Sequence, residues 1–328
     1  MLNSLLSVVM LRKWFPLKRS FIEFLKRVPP SYVKAVDGIS FEIKNKEIFV
    51  LAGESGSGKT TTGRLLVKAL DPDGGKIIFK GKDITRLKGR ELKFFRKEAQ
   101  MIFQDPYASL NPRFTVLDTL MEPLIVHGIG KSKKERIELI IKALDDVKLP
   151  YEDFMHRYPH MLSGGQRQRL AIARALILKP KFIVADEPVS MLDLSIRAEI
   201  LELMVNLREK YGISYLYITH DLSTARYIGD TLAIMYMGKL VEIGPLKSLL
   251  VKPLHPYTKA LIEAIPEPDP RNRFKEVNLG LKEFYETKLL VKGCRFFPRC
   301  AYAKSICFEN EPKLIEVGKN HKVACFFI

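Results

Sequence analysis

The spacing of apolar residues changes several times along the chain, and each change predicts a different element. Ile39, Phe41 and Ile43 alternate with polar residues, the period of a strand with one covered face, and Glu47-Ile48-Phe49-Val50-Leu51-Ala52 is the short unbroken run of a buried strand. A glycine-rich turn comes next, then a helix that closes through Leu65 to Leu70, the turn Asp71-Pro72-Asp73-Gly74-Gly75, and a strand opening with Lys76-Ile77-Ile78-Phe79. From 115 to 160 the spacing is helical: Leu117, Leu120 and Leu124, then Ile137, Leu139, Ile140, Ile141 and Leu144, with few strand signals among them. Strands return at Phe182-Ile183-Val184-Ala185 and Ser214-Tyr215-Leu216-Tyr217-Ile218, separated by a helix through Arg197 to Lys210. This alternation predicts an α/β fold with a mostly parallel, doubly wound sheet, carrying an inserted helical subdomain at about residues 105–162. Past Pro253 the prolines thicken, Pro256, Pro266, Pro268 and Pro270 among them, and this linker leads to a cysteine-bearing tail. The expected organisation is a basic segment at 1–34, the α/β domain at 35–252 and a C-terminal extension at 253–328.

Composition narrows the class. With 47% hydrophobic and 10% aromatic residues among 328, the chain has ample material for a buried core, which excludes a disordered or low-complexity scaffold. Lys and Arg number 54 against 37 Asp and Glu, a formal charge of +17, so an anionic partner is expected: nucleic acid, a membrane surface or nucleotide phosphates. Part of that charge lies in one segment, where Arg12, Lys13, Lys18, Arg19, Lys26, Arg27 and Lys34 face only Glu23, with Trp14, Phe15, Phe21, Phe24 and Leu25 interleaved. Such a stretch is either a solvated basic face or a surface resting on anionic head groups or a membrane partner. The apolar run Leu5 to Leu11 falls short of the roughly 20 residues of a spanning helix, and no cleavage site follows it, so a soluble or peripheral protein is expected. All four cysteines lie in the tail, which favours a reducing compartment over a secreted disulfide framework.

Gly53-Glu54-Ser55-Gly56-Ser57-Gly58-Lys59-Thr60 fits G-x-x-x-x-G-K-[ST] and lies between a buried strand and a helix, where a phosphate-binding loop is required. Its glycines let backbone N–H groups curl around phosphate oxygens, and the helix N-terminus, entered through Thr60 and Thr61, adds a positive dipole end. Lys59 reaches the β and γ phosphates, and the Thr60 hydroxyl can ligate Mg²⁺. The strand ending in Asp186-Glu187 brings two carboxylates to the same sheet edge: Asp186 to hold Mg²⁺, Glu187 to orient and polarise an attacking water. Leu162-Ser163-Gly164-Gly165-Gln166, at the start of an apolar helix, is a second phosphate cradle by the same logic. One nucleotide already occupies the first loop, so the economical arrangement is a dimer in which this turn closes on ATP held by the opposite subunit.

These elements, in this order, resemble the ATP-binding subunit of ABC transporters, a likeness that runs from Val33 to Ile328. Gln104 is similar to the family's Q-loop glutamine, Ser190-Met191-Leu192-Asp193 to its D-loop, and His220, after the strand 214–218 and Thr219, to its switch histidine. The resemblance implies a P-loop NTPase fold of the ABC type, with an inserted helical subdomain and a small C-terminal extension bearing the cysteines. It also implies an ATPase in which Glu187, His220 and Gln104 are catalytic, Mg²⁺ is held through Thr60, Gln104 and Asp186, and Asp193 serves the dimer contact. Met191, where a small residue is usual, and Met161, where Glu is common, depart from the pattern without removing a catalytic group. Tyr32 is the candidate to stack on adenine, with Phe24 and Phe15 as competitors.

Gln104-Asp105-Pro106-Tyr107-Ala108-Ser109-Leu110-Asn111-Pro112, Tyr158-Pro159-His160 and His255-Pro256-Tyr257-Thr258-Lys259-Ala260-Leu261 resemble the oligopeptide/dipeptide importer ATPases, and Lys13-Trp14-Phe15-Pro16 is similar to their F-type member. The implied partners are a D-type second ATPase forming a heterodimer, two transmembrane permease subunits and an extracytoplasmic solute-binding protein, at the cytoplasmic face of the membrane. A homodimer remains open on sequence. Relatives of such importers also carry oligosaccharides or metal chelates. A soluble nucleic-acid-associated ABC ATPase is the other class, but those commonly carry tandem cassettes or a long coiled-coil insertion, so no nucleic acid is expected. Cys294, Cys300, Cys307 and Cys325 lack the C-x-x-C spacing of structural zinc sites, and their wide loops carry aromatic residues. In relatives with a similar tail these cysteines hold a [4Fe–4S] cluster, while zinc and free or bonded thiols are the alternatives.

Overall fold

The chain enters on β1 (Ser4–Pro16), which pairs antiparallel with β2 (Tyr32–Lys44) and then leads, through β3 (Ile48–Ala52), to the glycine loop and α1 (Lys59–Leu66). These coordinates are a computed structural model that describes residues 4–17, 30–265 and 292–328. Lys18, Arg19, Phe21, Phe24, Lys26 and Arg27 of the basic segment, and Pro266, Pro268 and Pro270 of the linker, lie outside the described residues. β4 (Gly74–Phe79) and β5 (Lys82–Asp83) complete a four-stranded sheet in the order β2-β1-β4-β5. β1, which precedes residue 35, is hydrogen-bonded to β2 from Ser4↔Lys44 to Pro16↔Tyr32, and its Leu5, Leu6, Val8 and Leu11 are buried. The two strands enclose that boundary in one element pair.

After α2 (Gly89–Glu98) and β6 (Ala99–Ile102) the chain turns helical: α3 (Pro106–Ser109), α4 (Val116–Val126), α5 (Lys133–Asp146) and α6 (Tyr151–Phe154). Sequence chemistry starts these helices where they start. Thr115 and Asp118 form a reciprocal capping box on α4, and the Ser132 hydroxyl accepts from the Glu135 N–H on α5. α7 (Gly164–Leu176) returns the chain to the sheet, followed by β7 (Phe182–Asp186), α8 (Leu194–Tyr211), β8 (Ser214–Thr219), α9 (Leu222–Ile228), β9 (Thr231–Tyr236) and β10 (Lys239–Pro245).

The second sheet has the order β11 (Ile315–Gly318), β12 (His321–Val323), β10, β9, β3, β8, β7 and β6, parallel from β9 to β6. β3, β7 and β8 are buried at every residue, which is why they read as unbroken apolar runs: both faces are covered. The period of two still sorts them. Ile48, Val50 and Ala52 face a core shared with the helical segment, whereas Phe49 and Leu51 face the core closed by β1 and β2. The extension follows α10 (Leu246–Val251) with α11 (Pro256–Glu263), α12 (Ser305–Glu309), β11 (Ile315–Gly318) and β12 (His321–Val323). β12 adds antiparallel to β10, Glu242 opposite Val323, so the tail extends the main sheet. Among the described residues no helix is long and apolar enough to cross a membrane.

Candidate functional site

Sheet register assembles the site. β3, β8, β7 and β6 are neighbours, with Ala52 opposite Thr219, Ile218 opposite Asp186, and Ala185 opposite Ile102. Gly53, His220 and Glu187 are therefore each the first residue past a strand, and Gln104 follows Ile102 by two. Four segments far apart in sequence meet at the carboxyl edge of the sheet, the usual place for a ligand in an open α/β fold.

The phosphate loop can form only with glycine at two of its positions. Gly58 has φ 107°, and a Cβ there would stand 1.9 Å from the Ala35 carbonyl oxygen. Gly53 has φ 154°, and its Cβ would stand 2.1 Å from the Met235 carbonyl oxygen. Lys59 is folded back into the loop, its Nζ donating to the carbonyls of Gly53 at 2.7 Å and Glu54 at 2.8 Å. Burial pushes the Lys59 ammonium below its ordinary pKa, while Glu187, Asp186 and Glu54 oppose the shift. The buried Ser57 hydroxyl has no protein partner, an orphan that a phosphate oxygen at this loop would satisfy.

Thr60 Oγ1 donates to Asp186 Oδ1 at 3.0 Å, which puts a hydroxyl and a carboxylate together at the mouth of the loop. Burial raises the Asp186 carboxyl, the Thr60 bond counters it, and neighbouring Glu187 raises it further. A divalent cation there would offset the two neighbouring carboxylates, Asp186 and Glu187. Glu187 is held in the left-handed region at φ 46° without being glycine. Its carboxylate is gripped from two sides, by Gln104 Nε2 to Oε2 at 2.8 Å and by His220 Nδ1 to Oε1 at 2.9 Å. A carboxylate so aimed beside a phosphate loop can polarise water for attack on phosphorus.

The Leu162–Gln166 turn opens α7 with a capping box: Ser163 Oγ accepts from the Gln166 N–H at 3.3 Å, and Gln166 Oε1 from the Ser163 N–H at 3.0 Å. A Cβ on Gly165 would press on Ile196 of α8 at 2.7 Å. Among the described residues no hydrogen bond or ion pair joins this turn to its own chain's phosphate loop. Arg167, one turn on, donates Nε to the Pro159 carbonyl and lies 3.7 Å over the Tyr107 ring, tying α7 to the segment after Gln104. Asp193 is the N-cap residue of α8, and Arg197 Nε and Nη2 hold the carbonyls of Leu192 at 2.7 Å and Ser190 at 3.1 Å. Tyr32 is 47% exposed at the start of β2, its ring 6.3 Å from that of Trp14, whose indole N–H is committed to Asp37. Its competitor Phe15 is 38% exposed; Phe24 lies outside the described residues.

Cys294, Cys300, Cys307 and Cys325 form no disulfide bond and together line one cavity of about 240 Å³. Burial first, with the other three cysteines adding to it, pushes the Cys294 thiol up to about 11. Among the described residues no group of three or more His, Cys, Asp or Glu is arranged to hold a metal ion, a finding that supports neither zinc nor an iron–sulfur cluster at these cysteines. The tail also reaches the phosphate loop: the Tyr257 hydroxyl accepts from the Glu54 N–H at 2.9 Å, and Arg299 pairs with the Glu54 carboxylate. Sequence reading missed both, since neither residue lies in a phosphate-binding pattern; the only local signals were a proline-led helix start at 255–257 and an arginine beside Cys300.

Known proteins resemble this chain over most of its length. The ABC transporter family profile matches residues 36–190, and that of the oligopeptide/dipeptide transporter C-terminal region matches 241–307. The chain is 45% identical over 316 residues to the oligopeptide transport ATP-binding protein AppF of Bacillus subtilis, covering 96% of this chain and 94% of that protein. It is 43% identical over 324 residues to the dipeptide transport ATP-binding protein DppF of Haemophilus influenzae, covering 99% and 97%. Among solved structures, the ATP-binding cassette MJ0796, a dimer bound to ADP and Pi in a post-hydrolysis state, superposes with a TM-score of 0.63 at 28% identity, covering 74% of this chain and 98% of that one. By this overall similarity the chain belongs to the ATP-binding subunits of ABC transporters, in their oligopeptide/dipeptide branch.

Proposed function

We propose that this chain powers the import of di- or oligopeptides, working at the cytoplasmic face of a membrane. The observation that carries the reading is the convergence of Gln104 and His220 on Glu187, beside a phosphate loop whose Thr60 meets Asp186. Backbone N–H groups of 53–61 and the α1 N-terminus hold the ATP phosphates, Lys59 adds charge at the β and γ positions, and Tyr32 stacks on adenine. Thr60, Asp186 and Gln104 would hold Mg²⁺, which neutralises charge between those phosphates. Glu187 orients a water and takes up its proton as the new bond to the γ phosphorus forms. The bond to the β–γ bridging oxygen breaks, and ADP and phosphate leave. His220 fixes the γ phosphate and the Glu187 carboxylate in line.

Leu162, Ser163, Gly164, Gly165 and Gln166 act in trans on the nucleotide of a second ATPase subunit, a D-type relative, with Asp193 at the same contact. Two permease subunits and an extracytoplasmic solute-binding protein complete the importer. The groove between β6 and α4, lined by Phe103, Val126, His127 and Arg174, fits the permease side, because Phe103 directly precedes Gln104, which would transmit nucleotide state to it. The four cysteines, which share one cavity, would be the ligands of a [4Fe–4S] cluster; iron and acid-labile sulfide in anaerobically purified protein, lost on Cys300→Ser, test this.

Replacing Glu187 by Gln is the test of the ATPase reading: ATP binding persists while turnover falls to background. Unimpaired hydrolysis by that variant overturns the mechanism. Uptake of peptides, oligosaccharides and metal chelates by the reconstituted importer decides the cargo, and peptide-stimulated ATP hydrolysis is the expected outcome.

A further inference from the structure

Glu54 stands second in the phosphate loop, and each of its polar groups is engaged. Its N–H donates to the Tyr257 hydroxyl at 2.9 Å, and its carbonyl accepts from Lys59 Nζ at 2.8 Å. Its carboxylate takes both arms of one guanidinium, Arg299 Nη1 to Oε2 at 2.8 Å and Nη2 to Oε1 at 3.0 Å. Tyr257 and Arg299 come from the C-terminal extension, 203 and 245 residues further along the chain. Neither is a loose surface group. Tyr257 is 1% exposed, packed against Tyr236 and Phe296, and the Arg299 guanidinium lies about 6 Å from the same two rings.

The pair has an electrostatic task. A nucleotide entering the loop brings several negative charges, and an unpaired Glu54 carboxylate would oppose them from within the same loop. A bidentate fork neutralises that carboxylate and fixes its direction, which a single point charge does less well. The Glu54 side chain is 43% exposed, so solvent screens part of the effect and its size is modest.

We propose that Arg299 is a positioning residue of the ATP site: the C-terminal extension neutralises and orients Glu54, so that the phosphate loop binds ATP at full affinity only with the extension docked. This rests on the reading of residues 53–60 as the ATP site. Arg299 also directly precedes Cys300, and the turn that presents it forms a wall of the cysteine cavity, so the order of the tail reaches the loop through this side chain.

The test is equilibrium binding of a fluorescent ATP analogue to the full-length chain, with thermal unfolding as the check on folding. Arg299→Gln weakens binding about three- to tenfold, and Arg299→Lys falls between it and the parent chain. Adding Glu54→Gln to Arg299→Gln removes the unpaired charge and restores affinity, a rescue that a merely structural role for Arg299 does not produce. Unchanged binding in Arg299→Gln overturns the proposal, as does weakened binding without rescue. If Arg299→Gln does not fold, Arg299→Lys takes its place in the same cycle, and failure of both to fold also overturns it. Absence of ATP binding by the parent chain instead overturns the ATP-site reading, so the two failures are distinguishable.

Discussion

His220 Nδ1 lies 2.9 Å from Oε1 of Glu187, although the two residues follow separate strands and are 33 positions apart. The contact is built by register: Ile218 lies opposite Asp186, so the residues that follow on each strand emerge side by side. His220 is the more exposed partner, 57% against 14% for Glu187, and is free to meet a γ phosphate while keeping hold of the carboxylate. Its removal leaves nucleotide contacts of the phosphate loop intact. His220→Ala is therefore expected to lower kcat about 100-fold with KM for ATP changed less than about threefold, measured by steady-state hydrolysis at saturating Mg²⁺. A raised KM with kcat preserved would assign His220 to binding instead.

Two glycines of the same loop give opposite expectations. Both Gly56 and Gly58 have positive φ, 77° and 107°, but a Cβ on Gly56 meets nothing within 4 Å, whereas one on Gly58 meets the Ala35 carbonyl oxygen at 1.9 Å. Gly56→Ala carries only the backbone strain of about 1–2 kcal/mol. Gly58→Ala must also move β2 or the start of α1. The expected outcome is retained ATP binding in the first and loss of the ATP-induced rise in unfolding temperature in the second.

The chemistry of the phosphate loop was legible because its parts are contiguous: eight residues from Gly53 to Thr60 carry glycines, lysine and hydroxyl in fixed spacing. The sheet was legible for a similar reason, since strands covered on both faces, such as Phe182–Asp186, show unbroken apolar runs. β1 was harder. Its pairing with β2 contains several register shifts and Met10 sits at φ 48°, so the apolar alternation is broken where the strand continues, and basic composition dominated the reading of residues 12–34. Contacts made only in the folded chain were not legible at all. Nothing near Arg299 in sequence points to Glu54, because their pairing depends on the aromatic packing of Tyr236, Tyr257 and Phe296.

Arg197 ties the Ser190–Asp193 turn to the core by donating to the carbonyls of Leu192 and Ser190, with Asp221 at 3.7 Å from its other arm. The turn lies away from the phosphate loop's own bonds but at the proposed contact with the second subunit. Arg197→Ala is expected to leave ATP affinity of the isolated chain within about twofold while reducing hydrolysis by the assembled importer about tenfold. Sedimentation of the Glu187→Gln background with ATP, with and without this change, reports whether the defect lies in subunit closure.

His255 supplies a pH dependence whose sign follows from its surroundings. It is 1% exposed, its N–H donates to the buried Glu242 carboxylate at 3.0 Å, and its Nδ1 accepts from the Tyr257 N–H at 3.1 Å, which caps α11 and leaves the ring proton on Nε2. Burial pushes the folded-state pKa down to about 4 from an ordinary 6.5. The unfolded chain thus takes up a proton near pH 6.5 that the folded chain refuses until about pH 4, and between these values the unfolded state binds more protons. His255 contributes stability in full above 6.5 and loses it, at up to about 1.4 kcal/mol per pH unit, as pH falls toward 4. Asn at this position keeps an acceptor for the Tyr257 N–H but cannot titrate. Unfolding of the full-length chain followed from pH 7.5 to pH 5 is expected to show a shallower loss of stability for His255→Asn than for the parent, and parallel curves would remove His255 as the source of the slope.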